Sequence, residues 1–295
     1  MKLLITGAGG LVGSSLVSYS KMLGDDVTAY SRESLDITDR ESVFQTVAAE
    51  PFEVVINCAA WTDVDGCESD AERAFLVNAE GPENLAKACR ETGATFVTIS
   101  TDYVFDGSKQ GFYTQLDEPS PLSIYGKSKL EGEQRTLSAN PNSVVARTGF
   151  VFGVGGRNFL STVIARGQRG ELLKAISDAH GTPTHAGDLS ARLRELALAR
   201  ASGTFHVVNS GNGASYEDFV RFALEIAGLD QAMVQAVSET SLNRPAPRPS
   251  NSRLQCLRSG SFGLDQLPDW QNAVRRFVAE QVGRPSLAGG TPARL

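Results

Sequence analysis

The chain has 295 residues, 41% apolar and 21% charged, with a formal net charge of −6. That length can bury one large core or two smaller ones; the acidic balance speaks against a nucleic-acid surface, and no apolar run approaches the ~20 residues of a membrane span. No signal peptide precedes the first predicted strand, and four scattered cysteines (Cys58, Cys67, Cys89, Cys256) without a C-x-x-C spacing indicate neither a disulfide framework nor a zinc site, so a cytoplasmic protein with reduced thiols is expected.

Lys2 to Thr6 is a short apolar run that reads as a buried parallel strand. It leads into Gly7-Ala8-Gly9-Gly10-Leu11-Val12-Gly13 and then a helix with apolar residues at Leu16, Val17, Met22 and Leu23. Strand, glycine loop and helix in that order point to a dinucleotide. Gly7 permits the tight turn, Gly10 lets backbone approach a pyrophosphate, and Gly13 lets the helix pack on the strand. The helix N-terminus, with Leu11 and Val12, supplies N–H groups and a positive dipole end for phosphates. The spacing is G-x-x-G-x-x-G rather than G-x-G-x-x-G. The second strand, Asp26 to Tyr30, is followed by Ser31 and Arg32, with no acid until Glu33. An acid there suits a ribose 2′-hydroxyl and an Arg a 2′-phosphate. Ser31 and Arg32 are therefore expected to favour NADPH, with NADH as the alternative; the plainer reading of Arg32 is a solvated loop cation.

The alternation continues. A helix is predicted near Asp39–Ala49, a strand over Glu53–Asn57, a helical stretch over about Asp70–Thr92, and a strand over Thr95–Ser100. After a long loop come a helix carrying Tyr125 and a strand over Ser143–Arg147. This order predicts an α/β fold, a doubly wound parallel sheet, with the ligand site beyond the carboxyl ends of the strands. The glycine loop, Cys58-Ala59-Ala60, Thr101 and Phe150 all follow strand ends and should converge. The second half predicts strands at Leu172–Ile176 and Thr204–Val208 and helices at Asp188–Arg200, Ser215–Ala227 and Trp270–Gln281. Asn243 to Leu254 holds three Arg residues and three Pro, too much Pro for a helix or central strand, and is expected to be a stiff loop presenting guanidinium groups. Residues 1–150, with about 187–208, are expected to form the nucleotide-binding domain, 151–186 and 209–282 a smaller substrate domain, and 283–295 a disordered tail.

The most chemically pointed stretch is Tyr125-Gly126-Lys127-Ser128-Lys129, which follows Thr101 by 24 residues. A Tyr and a Lys four apart on a helix share a face, where the cation favours the tyrosinate and lowers the Tyr pKa. Such a Tyr can pass a proton to a carbonyl oxygen. Alone, the spacing more often marks a solvated pair.

Together these segments resemble the extended short-chain dehydrogenase/reductase family and, within it, the dTDP-4-dehydrorhamnose reductase group. The resemblance rests on the glycine loop, Leu35-Asp36-Ile37-Thr38-Asp39, Val55 to Asp65, Val77-Asn78-Ala79, Ser100 to Gly107, Tyr125 to Lys129, Arg147 to Gly153, Gly181-Thr182-Pro183-Thr184 and Arg248 to Leu254. It implies a Rossmann fold and NADPH-dependent reduction of the C4 ketone of a dTDP-4-keto-6-deoxyhexose. Tyr125 would be the proton donor, Lys129 would hold the nicotinamide ribose and depress the Tyr125 pKa, and Thr101 would hydrogen-bond the keto oxygen. Asp36 and Ile37 would border the adenine; Cys58, Ala59, Ala60 and Asn78 would line the dinucleotide channel. Arg248, Asn251 and Ser252 would hold the diphosphate and nucleoside, a use suited to the guanidinium fork, and Tyr103 and Phe150 would flank the sugar. The group generally has Trp at Phe150 and Ser at Gly149, so the sugar subsite is altered. Partners would be the nucleotide-sugar substrate, in a monomer or homodimer.

Plainer readings stand beside these. Asp63, Asp65 and Glu68 read as solvated loop acids rather than a metal site; some relatives use Mg²⁺, but nothing in this spacing indicates it. His180, His185 and His206 receive no catalytic role, and Trp61 and Trp270 read as packing. A 4,6-dehydratase or epimerase is disfavoured because Tyr103 stands where a dehydratase carries its Glu after the Asp. The alternative of another class is a non-catalytic NADP-binding regulatory subunit like the methionine adenosyltransferase beta subunit; another deoxysugar 4-ketoreductase is the alternative within the class.

Overall fold

The computed structural model describes residues 1–155 and 158–282; the expectation of a disordered tail over 283–295 lies outside the described residues. The first half runs β1 (Lys2–Thr6), α1 (Leu11–Met22), β2 (Asp26–Tyr30), α2 (Arg40–Ala48), β3 (Val54–Asn57), α3 (Val64–Ser69), α4 (Ala71–Phe75), a π-helical turn (Leu76–Glu80), α5 (Gly81–Thr92), β4 (Thr95–Thr101), α6 (Ile124–Ala139) and β5 (Val144–Thr148). The second half adds β6 (Val151–Phe152), α7 (Phe159–Gln168), β7 (Leu173–Ile176), β8 (His180–Gly181), β9 (Thr184–His185), α8 (Ala186–Leu198), β10 (Gly203–His206), β11 (Ala214–Ser215), α9 (Tyr216–Ile226), β12 (Val234–Val237) and α10 (Trp270–Val282).

Six strands form one parallel sheet in the order β10-β5-β4-β3-β1-β2. The strands are short and apolar because both faces are covered. Leu3, Leu4 and Ile5 of β1 and all of β3 are buried. One face packs on Leu16 of α1 and Leu189, Leu193 and Leu196 of α8. The other packs on Val43 and Val47 of α2 and Leu85 and Cys89 of α5. Full burial of each such aliphatic side chain contributes about 1.5–3 kcal/mol. The strand order turns at β1, which has β2 on one side and β3 on the other, so the crevice for a ligand opens above their carboxyl ends.

After β5 the chain leaves the sheet, then returns to it with α8 and β10. The excursions build a separate cluster from Phe152, Leu160, Ile164, Phe219, Ala223, Trp270, Val274 and Phe277, beside a parallel pair of β7 and β12. Strand β12 escaped the sequence reading: it has four residues, of which only Val234 is fully buried, too short for a period-2 pattern. The helical stretch expected over about Asp70–Thr92 is α4, the π turn and α5 in unbroken succession. Asp70 ends α3 and caps α4 by accepting the Arg73 N–H, and the π turn precedes Pro82 of α5, which has no N–H to offer the preceding turn. That turn fits closely against α6: a Cβ on Gly132 would lie 2.1 Å from the Asn78 carbonyl oxygen.

Candidate active site

A cavity of about 430 Å³ opens at the carboxyl edge of the sheet, lined by Gly10–Gly13, Cys58–Ala60, Ile99–Tyr103, Tyr125, Lys129, Thr148–Val151 and Tyr216. The loops after β1, β3, β4 and β5 therefore converge. A second cavity, of about 330 Å³, shares Gly10 and Cys58–Ala60 with the first and extends to Gly7, Ser31, Arg32, Glu33, Asp36 and Ile37. The residues fit a dinucleotide. Gly7 takes a positive φ of 68°, and a Cβ there would fall 2.4 Å from the Ala59 nitrogen; one on Gly13 would fall 2.2 Å from the Gly7 oxygen. At Gly9 and Gly10 the space is open, with nothing nearer than 4.0 and 3.4 Å. Gly10 is also the N-cap of α1 and provides no side-chain cap, so the first-turn N–H groups face the trough where phosphate oxygens can accept them. Glu33, passed over in the sequence, lines the same cavity and accepts the Ser31 hydroxyl.

Asn78 stands behind this channel rather than in it. Its side chain, 1% exposed, accepts the Trp61 N–H at 2.8 Å and donates to the Trp61 oxygen at 3.0 Å and Ser128 Oγ at 3.1 Å. It pins the loop bearing Ala59 and Ala60 to α6.

Tyr125 is the second residue of α6, whose N-cap Ser123 accepts the Gly126 N–H at 3.1 Å. Lys129 lies one turn on, 4% exposed, and donates from Nζ to the Ile99 carbonyl at 2.7 Å. Burial lowers its pKa to about 8 against the opposing charge of Glu133. Burial likewise raises the Tyr125 pKa above the ordinary tyrosine range, with the Thr101 hydroxyl pulling the other way. The expected depression of the Tyr125 pKa by Lys129 is thus corrected: desolvation dominates, and Tyr125 is held as the neutral phenol. A proton donor must carry its proton, so this state suits an acid. Thr101, at the end of β4, accepts the Tyr103 N–H at 3.2 Å and donates to Asp102 Oδ1 at 3.1 Å.

On the far side a small recess is lined by Tyr103, Phe150, His180, Tyr216, Arg244, Arg248 and Ser252. Phe150 has a φ of 47°, unusual for a residue with a Cβ, and its ring is wedged against Gly181 and stacked on Tyr216 at 4.1 Å. The arginine loop does not present free guanidinium groups as expected. Arg248 forms a fork with Asp65 at 3.0 Å on each oxygen, Arg253 binds Asn251 Oδ1 at 2.8 Å and covers Phe112, and Arg244 lies 3.8 Å from Glu239. Asp65 is therefore a counter-ion, not a solvated acid, and the guanidinium holds its carboxyl below the usual range. Asn251 is occupied by the carbonyls of Lys109 and Gly111 at 2.7 and 2.8 Å, so it clamps the loop instead of facing the recess. The Ser252 hydroxyl donates to Asp102 Oδ2. Asp102 and Gly149, marked in the sequence only as neighbours of Thr101 and Phe150, also line the cavity, as does Tyr216, which has no sequence signal of its own.

Among the described residues, no three or more His, Cys, Asp or Glu side chains are arranged to hold a metal ion, and no helix is long and apolar enough to cross a membrane. Asp63 caps α3, and Glu68 accepts the Ile124 N–H.

Residues 1–282 match the family model described as RmlD substrate binding domain. A dTDP-4-dehydrorhamnose reductase of Mycolicibacterium smegmatis is 40% identical over 285 residues, 96% of this chain and 86% of that protein. A probable dTDP-4,6-dihydroxy-2-methyloxan-3-one 4-ketoreductase of Streptomyces antibioticus is 37% identical, covering 93% of this chain and 94% of its own. The crystal structure of a dTDP-4-dehydrorhamnose reductase from Bacillus anthracis in complex with NADP superposes with a TM-score of 0.90 at 33% identity, over 95% of this chain and all of that one.

Proposed function

The chain belongs to the RmlD substrate binding domain family, and from that membership we propose that it reduces the C4 ketone of dTDP-4-dehydrorhamnose with NADPH to form dTDP-L-rhamnose. The observation that carries this reading is the convergence of Thr101, Tyr125 and Lys129 in one cavity with the glycine loop. The sheet unit, residues 1–150 with 187–208, would hold the dinucleotide, and 151–186 with 209–282 the sugar nucleotide. When bound, the reduced nicotinamide supplies the hydride to C4. Tyr125 donates its proton to the ketone oxygen, and Thr101 stabilises the charge developing there. Lys129, one turn along α6, holds the ribose and, as the cation, favours the tyrosinate left after transfer. Gly7, Gly10, Leu11, Val12 and Gly13 seat the diphosphate, Asp36 and Ile37 border the adenine, and Cys58–Ala60 wall the channel. Tyr103 and Phe150 flank the sugar, with Tyr216 behind them. The Phe150 ring supports a second reading within the class, a related 4-keto-deoxysugar as substrate. Loss of reduced-nicotinamide absorbance with dTDP-4-dehydrorhamnose tests the proposal; absence of turnover despite NADPH binding would favour the regulatory-subunit reading.

Two substitutions test the binding roles. Arg248 exchanges Asp65 for the substrate's diphosphate in this account, a charge-assisted contact contributing about 1.5–3 kcal/mol. Arg248→Ala should raise the KM for the sugar nucleotide by about 10–100-fold with kcat nearly unchanged; a fall in kcat at constant KM would remove it from that role. Arg32→Ala should weaken NADPH by about tenfold, ~1.4 kcal/mol, while changing NADH affinity by less than about threefold. Equal losses for both cofactors, in titrations followed by nucleotide fluorescence, would show that Arg32 does not read the 2′-phosphate.

A further inference from the structure

The hydrogen bonds on the floor of the reaction cavity can be counted atom by atom. A hydroxyl offers one donor and two acceptor sites. Thr101 Oγ1 accepts the Tyr103 N–H at 3.2 Å and donates its proton to Asp102 Oδ1 at 3.1 Å. With Asp102 ionised, the carboxylate can only accept, so the Thr101 proton points away from the cavity. The Thr101 hydroxyl then has no proton free for a ketone oxygen. The second carboxylate oxygen, Oδ2, is held by the Ser252 hydroxyl. Gly149 makes this seat: a Cβ there would lie 2.3 Å from Oδ2 and 2.7 Å from Oδ1.

We propose that Asp102 is a positioning residue whose protonation sets the direction of the Thr101 hydroxyl. As the acid it donates to Thr101 Oγ1, which already accepts the Tyr103 N–H, and the Thr101 proton is released toward the substrate's ketone oxygen. As the carboxylate it takes the Thr101 proton and turns it away from the cavity. The proposal rests on the ketone-reduction reading above and deepens it.

The surroundings allow both states. Asp102 is 3% exposed, and burial raises its pKa to about 6 against hydrogen bonds from Ser252 and Thr101. The titratable groups facing it are three phenols: Tyr103 beside it, Tyr125 of α6 and Tyr216 of α9, each pushed up by burial and neutral. The Arg248 guanidinium, which interacts with Tyr103 and Tyr216, is paired with Asp65.

The test is the pH profile of kcat at saturating NADPH and keto-sugar nucleotide, in wild type, Asp102→Asn and Ser252→Ala. Wild-type kcat should be constant in acid and fall about tenfold per pH unit above a midpoint near 6, with a further fall near 8 from Lys129. Asparagine carries the donor and acceptor set of the acid: its N–H donates to Thr101 and its carbonyl accepts from Ser252. Asp102→Asn should therefore lose the lower fall, keep the one near 8, and exceed wild type by about tenfold or more at about pH 7.5. Ser252→Ala removes a donor to the carboxylate and should move the lower midpoint upward, on the order of one unit. Melting temperature and NADPH binding serve as folding checks; if Asp102→Asn fails them, the direction of the Ser252→Ala shift decides. A wild-type kcat flat between about pH 5 and 7.5, an Asp102→Asn profile that keeps the lower fall, or a Ser252→Ala midpoint that does not rise would overturn the proposal. Turnover with a flat profile refutes this inference alone, whereas no turnover at any pH refutes the reductase reading.

Discussion

Tyr125→Phe is expected to lower kcat by about 10²–10⁴-fold while leaving the KM for the sugar nucleotide and the Kd for NADPH within about threefold of wild type. The substitution removes one oxygen and keeps the ring that packs in the cluster with Cys67 and Ala74, so the helix and its neighbours are undisturbed. What disappears is the proton aimed at the ketone oxygen. Burial keeps the wild-type phenol protonated through the physiological range, so the loss should be nearly constant with pH wherever Lys129 remains a cation. Single-turnover rates with both substrates saturating give the comparison directly. A variant retaining more than about a tenth of wild-type kcat would place the acid elsewhere.

The second large effect concerns stability. Under β4 and β5, Arg147 and Glu133 form a fork with distances of 2.9 and 2.6 Å, with side-chain exposures of 7% and 4%. The Ser100 hydroxyl also donates to Glu133, and the guanidinium lies 5.2 Å from the centre of the Phe105 ring. Arg147→Ala leaves the Glu133 carboxylate buried with one hydroxyl partner, and breaking a buried pair from one side costs about 3–5 kcal/mol. Urea unfolding should show that loss at neutral pH. Arg147→Met with Glu133→Gln should recover part of it, because no charge is then left alone. A cost below about 1 kcal/mol for Arg147→Ala would mean that water or another cation reaches Glu133.

How much of this was legible in the sequence follows from how local each signal is. The β1–loop–α1 unit, the alternation through β5, and the Tyr125–Lys129 pair depend on neighbours within a few residues, and all were readable. The return of α8 and β10 to the sheet had a helical and a strand pattern to announce it. What stayed hidden depends on partners far along the chain. Asp65 and Arg248 are 183 residues apart, so a loop rich in arginine read as free positive charge although its guanidinium groups are paired. Asn78 and Asn251 sit in recognisable motifs, yet their amides serve the backbone of Trp61 and of Lys109 and Gly111. Tyr216 is the first residue of an ordinary amphipathic helix, and only the fold brings it against Phe150. The sign of the Tyr125 shift was misjudged for a related reason: spacing reports the nearby cation, but not the burial that outweighs it.

The central claim is hydride delivery to C4 of a nucleotide-bound 4-ketosugar with proton delivery from Tyr125. Its most direct test is turnover of dTDP-4-dehydrorhamnose with NADPH deuterated at nicotinamide C4, followed by NMR of the sugar nucleotide. The account predicts one deuterium at C4 of the hexose in a product identical to dTDP-L-rhamnose, formed by wild type and almost absent with Tyr125→Phe. Deuterium at another carbon, or none in a sugar that is nonetheless altered, would contradict it.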